Sequence, residues 1–353
     1  MKIKSFAAKN ATSPLEYFEF ERRDLTAKDV EFEILYCGVC HSDVHTVRNE
    51  WKDWEPTVYP SVTGHEIVGK VTNIGKTVTK YKPGDIVGVG CMVNSCRKCK
   101  NCKNGLEQYC ENGAIFTYNS KDPIDNTITK GGYSQIMIAD EDFILKIPKG
   151  MDLAKAAPLL CAGITTYSPL KHWGIKKGMK VGIIGLGGLG HMGLKYAKAL
   201  GAKTYIITTS PKKAADAKKY GADGVVLMSD KKSVDANKSS FDFLLNTIPV
   251  AHDLRPYLDF LATDGAMVIV GAITDLKDGF HGQSLIGMRR TIAGSSIGGI
   301  KETQEVLNFS AKHNIYPDIE IIPIEEINRA FDTLAHKGIS HRFVIDMKAS
   351  FKS

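Results

Sequence analysis

Short apolar runs broken by glycine and polar turns dominate the first 150 positions. Val30–Leu35, Ile67–Val71, Ile86–Val89 and Tyr133–Ile138 read as strands, with turn signals such as Lys82-Pro83-Gly84-Asp85 between them. Few helical periods compete there, so the stretch predicts a mostly β domain. After Pro148-Lys149-Gly150 the pattern changes. Strand Val181–Ile184 enters a glycine-rich turn and a helix running to about Leu200, closed by Gly201. Strand Thr204–Ile207 follows, then a helix opened near Pro211 and ended by Gly221. Further strands are predicted at Gly224–Leu227, Phe241–Leu245, Met267–Val270 and Thr291–Ala293. Strands alternating with helices predict a parallel α/β sheet. Beyond about residue 297 the alternation fades, leaving a helix from roughly Lys301 to His313 and a strand Arg342–Asp346.

Length and composition change this picture little. The 353 residues suit two domains, and 43% hydrophobic with 24% charged residues is ordinary globular usage. No run of about 18 apolar residues offers a membrane span. The opening Met1-Lys2-Ile3-Lys4-Ser5 lacks the apolar core of a signal peptide, so a soluble cytoplasmic protein is expected. The net charge of +7 is spread among interspersed acids and bases, which predicts a mixed solvated surface and no nucleic-acid partner. Eight cysteines without a secretion signal point to metal ligation or catalysis before disulfides.

Four of them, Cys96, Cys99, Cys102 and Cys110, follow C-x2-C-x2-C-x7-C. Thiolates so spaced in one loop can close a tetrahedral shell around zinc, a structural site with no position for substrate. An iron–sulfur cluster also takes four thiolates and stays open at this point. A second constellation comprises Cys40-His41-Ser42-Asp43-Val44-His45, then Gly64-His65-Glu66, then the distant Cys161. Cys40, His65 and Cys161 supply the three-ligand Cys2His set that leaves one zinc position free for substrate or water, a set characteristic of alcohol dehydrogenases.

The run Gly185-Leu186-Gly187-Gly188-Leu189-Gly190 is a dinucleotide fingerprint in its required setting, after an apolar strand and at the start of a helix. Gly185, Gly187, Gly188, Leu189 and Gly190 would bring backbone N–H groups and the helix N-terminus to a pyrophosphate. The next strand runs into Ile207-Thr208-Thr209-Ser210-Pro211-Lys212-Lys213. NAD sites place an Asp or Glu there for the ribose 2′-OH, and none is present. Thr209, Ser210 and Lys213 suit a 2′-phosphate instead, which predicts NADP(H). A merely hydrophilic loop is the alternative.

Taken together, these motifs resemble the zinc-containing medium-chain dehydrogenase/reductase superfamily, and within it the cinnamyl alcohol dehydrogenase family. The resemblance also rests on Pro158-Leu159-Leu160-Cys161-Ala162-Gly163-Ile164-Thr165, His191-Met192-Gly193 and Gly294-Ser295-Ser296-Ile297-Gly298-Gly299, so it spans nearly the whole chain. It implies an α/β protein: a GroES-like, mostly β catalytic domain of residues 1–157 and 298–353 around an inserted Rossmann domain of residues 158–297. It further implies two zinc ions per chain, one catalytic and one structural, a homodimer joined through the Rossmann domains, and a small alcohol or aldehyde as substrate. Glu66 would approach the catalytic zinc when its free position is vacated. His41 and Thr165, inside the matching stretches, are assigned with the fingerprint to the cofactor. Thr63 replaces the Pro usual before Gly-His-Glu, Phe116 stands where plant members often carry Trp, and Trp51–Pro60 differs from the plant lignin enzymes. These departures speak against a specialised lignin role.

The implied reaction interconverts primary alcohols and aldehydes. Zinc would polarise the substrate oxygen, hydride would pass to or from the nicotinamide, and a proton would leave through Ser42 and then the cofactor's ribose hydroxyl to His45 near the surface. Asp43 would orient His65 by accepting from its second ring nitrogen, with a mere turn or helix-cap function as the alternative for Ser42 and Asp43. Trp51, Trp54, Cys91, Phe116 and Ile297 are the expected pocket walls by resemblance and bulk, favouring aromatic or medium-chain substrates. A polyol dehydrogenase of the same fold, or a non-catalytic zinc- and nucleotide-binding protein, are the competing readings.

Overall fold

The computed structural model describes residues 2–271, 279–337, 339 and 341–351. Contacts divide the chain into two compact units, Met1–Cys161 with Gly298–Ser353, and Ala162–Ile297. The first unit therefore takes in residues 158–161, four beyond the boundary drawn from sequence. The reason is local: the tight turn Ala157–Leu160 is fully buried and packs on the strands of the first unit's own sheet. That packing keeps Cys161 in the same body as Cys40 and His65.

In the first unit the central sheet runs, from one edge, Ile319–Ile322, Arg342–Asp346, Asp29–Val39, Ile67–Ile74, Ile86–Val89 and Leu145–Lys146. Strand Ile136–Asp140 pairs with the first half of Asp29–Val39. The sequence had started this strand at Tyr133, but Tyr133, Ser134 and Gln135 precede it and bond elsewhere, Tyr133 N–H to Thr63 O and Ser134 in a bridge to Ser5. A separate antiparallel ladder joins Lys2–Ala8 to Leu15–Glu21. Alternating burial along Asp29–Val39 directs Val30, Phe32 and Ile34 into a core with Ile67, Val71, Val87 and Phe343. Complete burial of such a side chain contributes roughly 1.5–3 kcal/mol. The unit's helices include His41–Val47, which opens directly from the strand ending at Val39, Ile300–His313 and Ile327–Lys337.

The second unit is a six-stranded, all-parallel sheet. Its order is Gly224–Leu227, Lys203–Thr208, Lys180–Ile184, Phe241–Asn246, Leu261–Ile269, Thr291–Gly294. In chain order that is 3-2-1-4-5-6, the doubly wound Rossmann arrangement, whose ligand crevice opens where strand order reverses. Ile184, Ile207, Val226, Phe241, Leu244 and Met267 form its buried core. The strand predicted at Met267–Val270 begins earlier, at Leu261, and ends at Ile269.

Candidate active site and nucleotide-binding site

The helix His41–Val47 begins with Cys40 in extended geometry, and Cys40 N–H donates to Asp43 Oδ2 at 2.9 Å. Asp43 is fully buried and accepts three further hydrogen bonds: Gly64 N–H to Oδ1 at 2.9 Å, Tyr133 O–H to Oδ2 at 2.8 Å, and a contact with His65 Nδ1 at 3.1 Å. One carboxylate thus caps a helix, fixes the Gly64-His65 turn and holds one ring nitrogen of His65. Both roles left open in the sequence coincide in this residue. With Nδ1 engaged, Nε2 of His65 is available as a ligand atom.

Cys40, His65, Glu66 and Cys161 are all buried, and one ligand atom of each lies within 4.8 Å of the others. The two sulfurs are 3.9 Å apart. The Cys161 side chain holds the Cys40 thiol well below its ordinary range, and Cys161 is itself driven well above. Two thiolates packed together need a cation to coexist, and two sulfurs with one imidazole fit zinc. Glu66 pairs through Oε1 with the buried guanidinium of Arg342, whereas its Oε2 is buried without a partner. Burial pushes this carboxyl up to about 8, against the pull of Arg342. An orphaned carboxylate oxygen inside the ligand cluster fits a metal nearby. Sequence reasoning missed Arg342: it stands 276 residues from Glu66 and no local pattern links them.

From this cluster the helix leads outward. Ser42 Oγ lies 3.8 Å from Cys40 Sγ. His45, one turn on, presents Nδ1 to the Glu50 carboxylate, while its Nε2 is buried with no partner among the described residues. Glu50 was also missed, although its spacing of five residues from His45 was visible. His41 stacks on His45 at 5.6 Å, His45 on Trp51 at 5.2 Å, and Trp51 on Trp54 at 5.1 Å. Burial pushes the His41 imidazole below its ordinary range, which favours the neutral ring. Trp54 is 67% exposed, and Cys91 directs its thiol to Leu160 O at 3.9 Å. Phe116 is half-buried on the short strand Ile115–Phe116, and Ile297 closes the second unit at a φ of 38°.

Cys96, Cys99, Cys102 and Cys110 likewise bring their sulfurs within 4.8 Å of one another. Backbone N–H groups point at these sulfurs: Cys96 N to Cys110 Sγ and Cys99 N to Cys96 Sγ at 3.4 Å, Cys102 N to Cys99 Sγ at 3.5 Å. Such donors favour thiolate, and the backbone N–H of Lys98 with other donors pushes Cys96 down to about 5. The set fits a closed tetrahedral zinc site. Its lobe also carries Glu107, whose Oε2 accepts from Ile300 N at 3.1 Å at the start of helix Ile300–His313. The lobe therefore supports a main helix of the unit.

In the second unit, strand Lys180–Ile184 turns at Gly185, φ +89°, into helix Gly188–Ala199, with Gly187 at the N-cap. A Cβ on Gly190 would sit 2.2 Å from Gly185 O, so only glycine lets the helix pack this closely. Gly188 and Leu189 form the first turn of the helix, where backbone N–H groups can face an anion. Thr165 is buried in helix Ala162–His172, which packs beside Gly188–Ala199. Across the next strand, Thr209 is exposed and Ser210 caps helix Pro211–Lys219, accepting from Lys213 N at 3.3 Å. The Lys213 ammonium is half-buried with no acidic partner among the described residues, and burial lowers its pKa.

A Rossmann sheet with its glycine turn and a Cys2His cluster in a β-rich unit define a zinc-binding dehydrogenase. Residues 26–149 match the alcohol dehydrogenase GroES-like domain, and residues 188–312 match the zinc-binding dehydrogenase domain. The chain is 50% identical to the aldehyde reductase YahK of Escherichia coli, over 98% of each chain. It is 48% identical to a probable mannitol dehydrogenase of Fragaria ananassa, over 99% of this chain and 97% of the relative. Among solved structures, a cinnamyl alcohol dehydrogenase of Sorghum bicolor superposes with a TM-score of 0.95 at 37% identity, covering 100% and 99% of the two chains. The CAD of Helicobacter pylori, complexed with NADP(H), gives 0.91 at 42% identity, covering 99% of each. The chain belongs to the zinc-containing medium-chain dehydrogenase/reductase superfamily, close to the cinnamyl alcohol dehydrogenases. It is an oxidoreductase. Among the described residues, no helix is long and apolar enough to cross a membrane.

Proposed function

We infer that this chain is an NADP(H)-dependent zinc alcohol dehydrogenase and aldehyde reductase, acting on primary aromatic or medium-chain substrates. The observation that carries the reading is the buried Cys40–His65–Cys161 cluster, with Asp43 locked behind His65. When bound there, zinc supplies Lewis acidity toward the substrate oxygen and the nicotinamide supplies the hydride. Cys96, Cys99, Cys102 and Cys110 would hold a second zinc, which would stabilise the fold without touching substrate.

The chain's own residues do the rest. Cys40, His65 and Cys161 hold the metal, and Asp43 fixes the tautomer and plane of His65. Ser42, beside Cys40, passes the reacting hydroxyl's proton outward, and His45 receives it. Glu50 accepts from His45 Nδ1, which leaves Nε2 as the nitrogen open to a proton. Glu66 shares the metal cluster, tethered by Arg342, and can approach the ion when the substrate position is vacant. The Trp51–Trp54 stack offers an apolar face beside His45, in keeping with aromatic or medium-chain substrates. The fingerprint glycines and Leu189 receive the pyrophosphate, His41 and Thr165 contribute to the cofactor site, and Thr209, Ser210 and Lys213 read the 2′-phosphate. Among the described residues the edge strand Thr291–Gly294 pairs on one side only, and Ile286 is 76% exposed, which favours pairing with a second copy through the Rossmann units.

The test is NADPH consumption with benzaldehyde, set against mannitol oxidation with NADP as the polyol alternative. Benzaldehyde turnover with little mannitol oxidation is expected; the reverse pattern would favour the polyol reading, and no turnover of either would return the chain to a binding role. In the same assay Ser42→Ala should cost alcohol oxidation at least about a hundredfold, the low end for lost acid–base catalysis. Metal content should stay at the wild-type value. Near-normal turnover would remove Ser42 from the proton path.

A further inference from the structure

We propose that a cavity in the mostly β unit, roofed by the loop 121–130, binds a small organic carboxylate. It measures about 170 Å³ and is lined on its apolar sides by Phe20, Val93, Ile124, Ile128 and Met137. None of these residues belongs to either metal cluster or to the nucleotide fingerprint. Three cations line the same cavity; Arg23 is paired with acids, which leaves Arg22 and Lys130.

Neither cation has a carboxylate partner among the described residues. Arg22 spends its donors on neutral acceptors: Nε on Ile136 O at 2.6 Å, and Nη2 on Lys130 O, Gly131 O and Ser134 Oγ at 3.0–3.2 Å. Those bonds hold the guanidinium rigidly but leave its charge uncompensated, and Nη1 has no partner among the described residues. Lys130 has only Ile128 O, at the long distance of 3.4 Å. Both cations lie over one face-rich group, the Phe20 ring, at 5.0 and 5.6 Å from its centroid. Burial lowers both groups, Arg22 to about 9; Arg23 presses on Arg22 and Arg22 on Lys130, while the Asp125 charge pulls Lys130 the other way without forming an ion pair.

None of the acids around the cavity forms an ion pair with Arg22 or Lys130 among the described residues, although Asp125 is near enough to act on Lys130. Asp122 and Asp29 take the neighbouring Arg23 at 3.2 and 2.6 Å. Asp140 takes Arg97 at 2.8 Å, Asp125 accepts from the Thr127 N–H and hydroxyl at 2.9 Å, and Glu21 is exposed. Two desolvated cations beside an aromatic ring and aliphatic walls match a ligand with a carboxylate head and a short apolar body. A carboxylate can take the guanidinium and ammonium together, and the body replaces water against Phe20 and Met137.

The probe is sodium benzoate against acetate, inorganic phosphate and chloride at one ionic strength, read as the shift in melting temperature and by calorimetry with the full chain. Benzoate should bind more tightly than acetate, because the apolar walls contribute, and more tightly than phosphate. Lys130→Gln should weaken benzoate at least about tenfold, the loss of one charge-assisted hydrogen bond, while NADPH-dependent activity stays at wild type. Lys130→Arg, which keeps the charge, should retain binding and guards against a folding defect in the first variant. Benzoate affinity unchanged in Lys130→Gln would place the ligand elsewhere and overturn the site. Phosphate binding more tightly than benzoate would overturn the carboxylate class. These outcomes do not depend on the catalytic reading, since the readout is binding.

Discussion

Cys161→Ala should cut aldehyde reduction by at least about a thousandfold and leave a folded chain with one zinc fewer. The metal's stabilisation of developing charge is worth several kcal/mol, and each ~1.4 kcal/mol is tenfold in rate. Cys161 provides one of only two sulfurs in the buried cluster and comes from a different segment than Cys40 and His65. Losing it leaves Cys40, His65 and the Arg342-tethered Glu66 carboxylate, one sulfur short of the Cys2His set that keeps a position free for substrate. The cavity created is small, and Asp43 still ties Cys40, Gly64 and Tyr133 together, so the fold should survive. Cys99→Ala makes the contrast. It opens the closed four-sulfur shell, whose lobe supports helix Ile300–His313 through Glu107, and should lower the melting temperature by about 10 °C. Activity per folded molecule should fall far less than in Cys161→Ala. Metal analysis giving two zinc ions in the wild type and one in each variant is the expected result. A single zinc, or iron, in the wild type would overturn the two-site assignment.

Much of this arrangement was legible because its parts are local in sequence. The four cysteines at three-residue spacing need only one loop, and the glycine turn needs only the strand before it and the helix after it. Strand limits such as Ile86–Val89 and Arg342–Asp346 followed from apolar runs bounded by turns. The ladder of Lys2–Ala8 with Leu15–Glu21 escaped because Leu15–Glu21 buries only Leu15 and Phe20, an irregular alternation. Helix Ile327–Lys337 was overlooked although Ile327, Ala330, Phe331 and Leu334 repeat at helical spacing and are buried. The site's supporting groups were harder. Tyr133 and Arg342 reach Asp43 and Glu66 from 90 and 276 residues away, and only the folded sheet makes them neighbours. A buried charge pair of this kind leaves no trace in composition or period.

Cofactor choice is the other large expected effect. Thr209→Asp should turn a preference for NADPH of about a hundredfold toward NADH, and Lys213→Ala should raise the Michaelis constant for NADPH while sparing NADH. The extra phosphate of NADP carries about −1.5 to −2 charges near neutral pH, taking phosphomonoesters as the guide. At the end of strand Lys203–Thr208 this chain offers exposed Thr209, the Ser210 hydroxyl and Lys213, and no acid. Lys213 is half-buried and its ammonium is disfavoured by that burial, with no carboxylate to offset it among the described residues. A bound phosphate would supply the missing counter-charge. One charge-assisted hydrogen bond is worth about 1.5–3 kcal/mol, so a lysine and two hydroxyls account for a hundredfold or more. Ser210 also caps helix Pro211–Lys219, so its replacement would mix stability with recognition; Thr209 and Lys213 avoid that. Aspartate at 209 adds both repulsion of the phosphate and an acceptor for a free ribose hydroxyl, the two elements a specificity switch needs. The ratio of kcat/KM with the two cofactors must be measured at one salt concentration, because screening weakens the charge effect. Equal efficiencies in the wild type, or an unaltered ratio in both variants, would show that the loop after this strand does not read the phosphate.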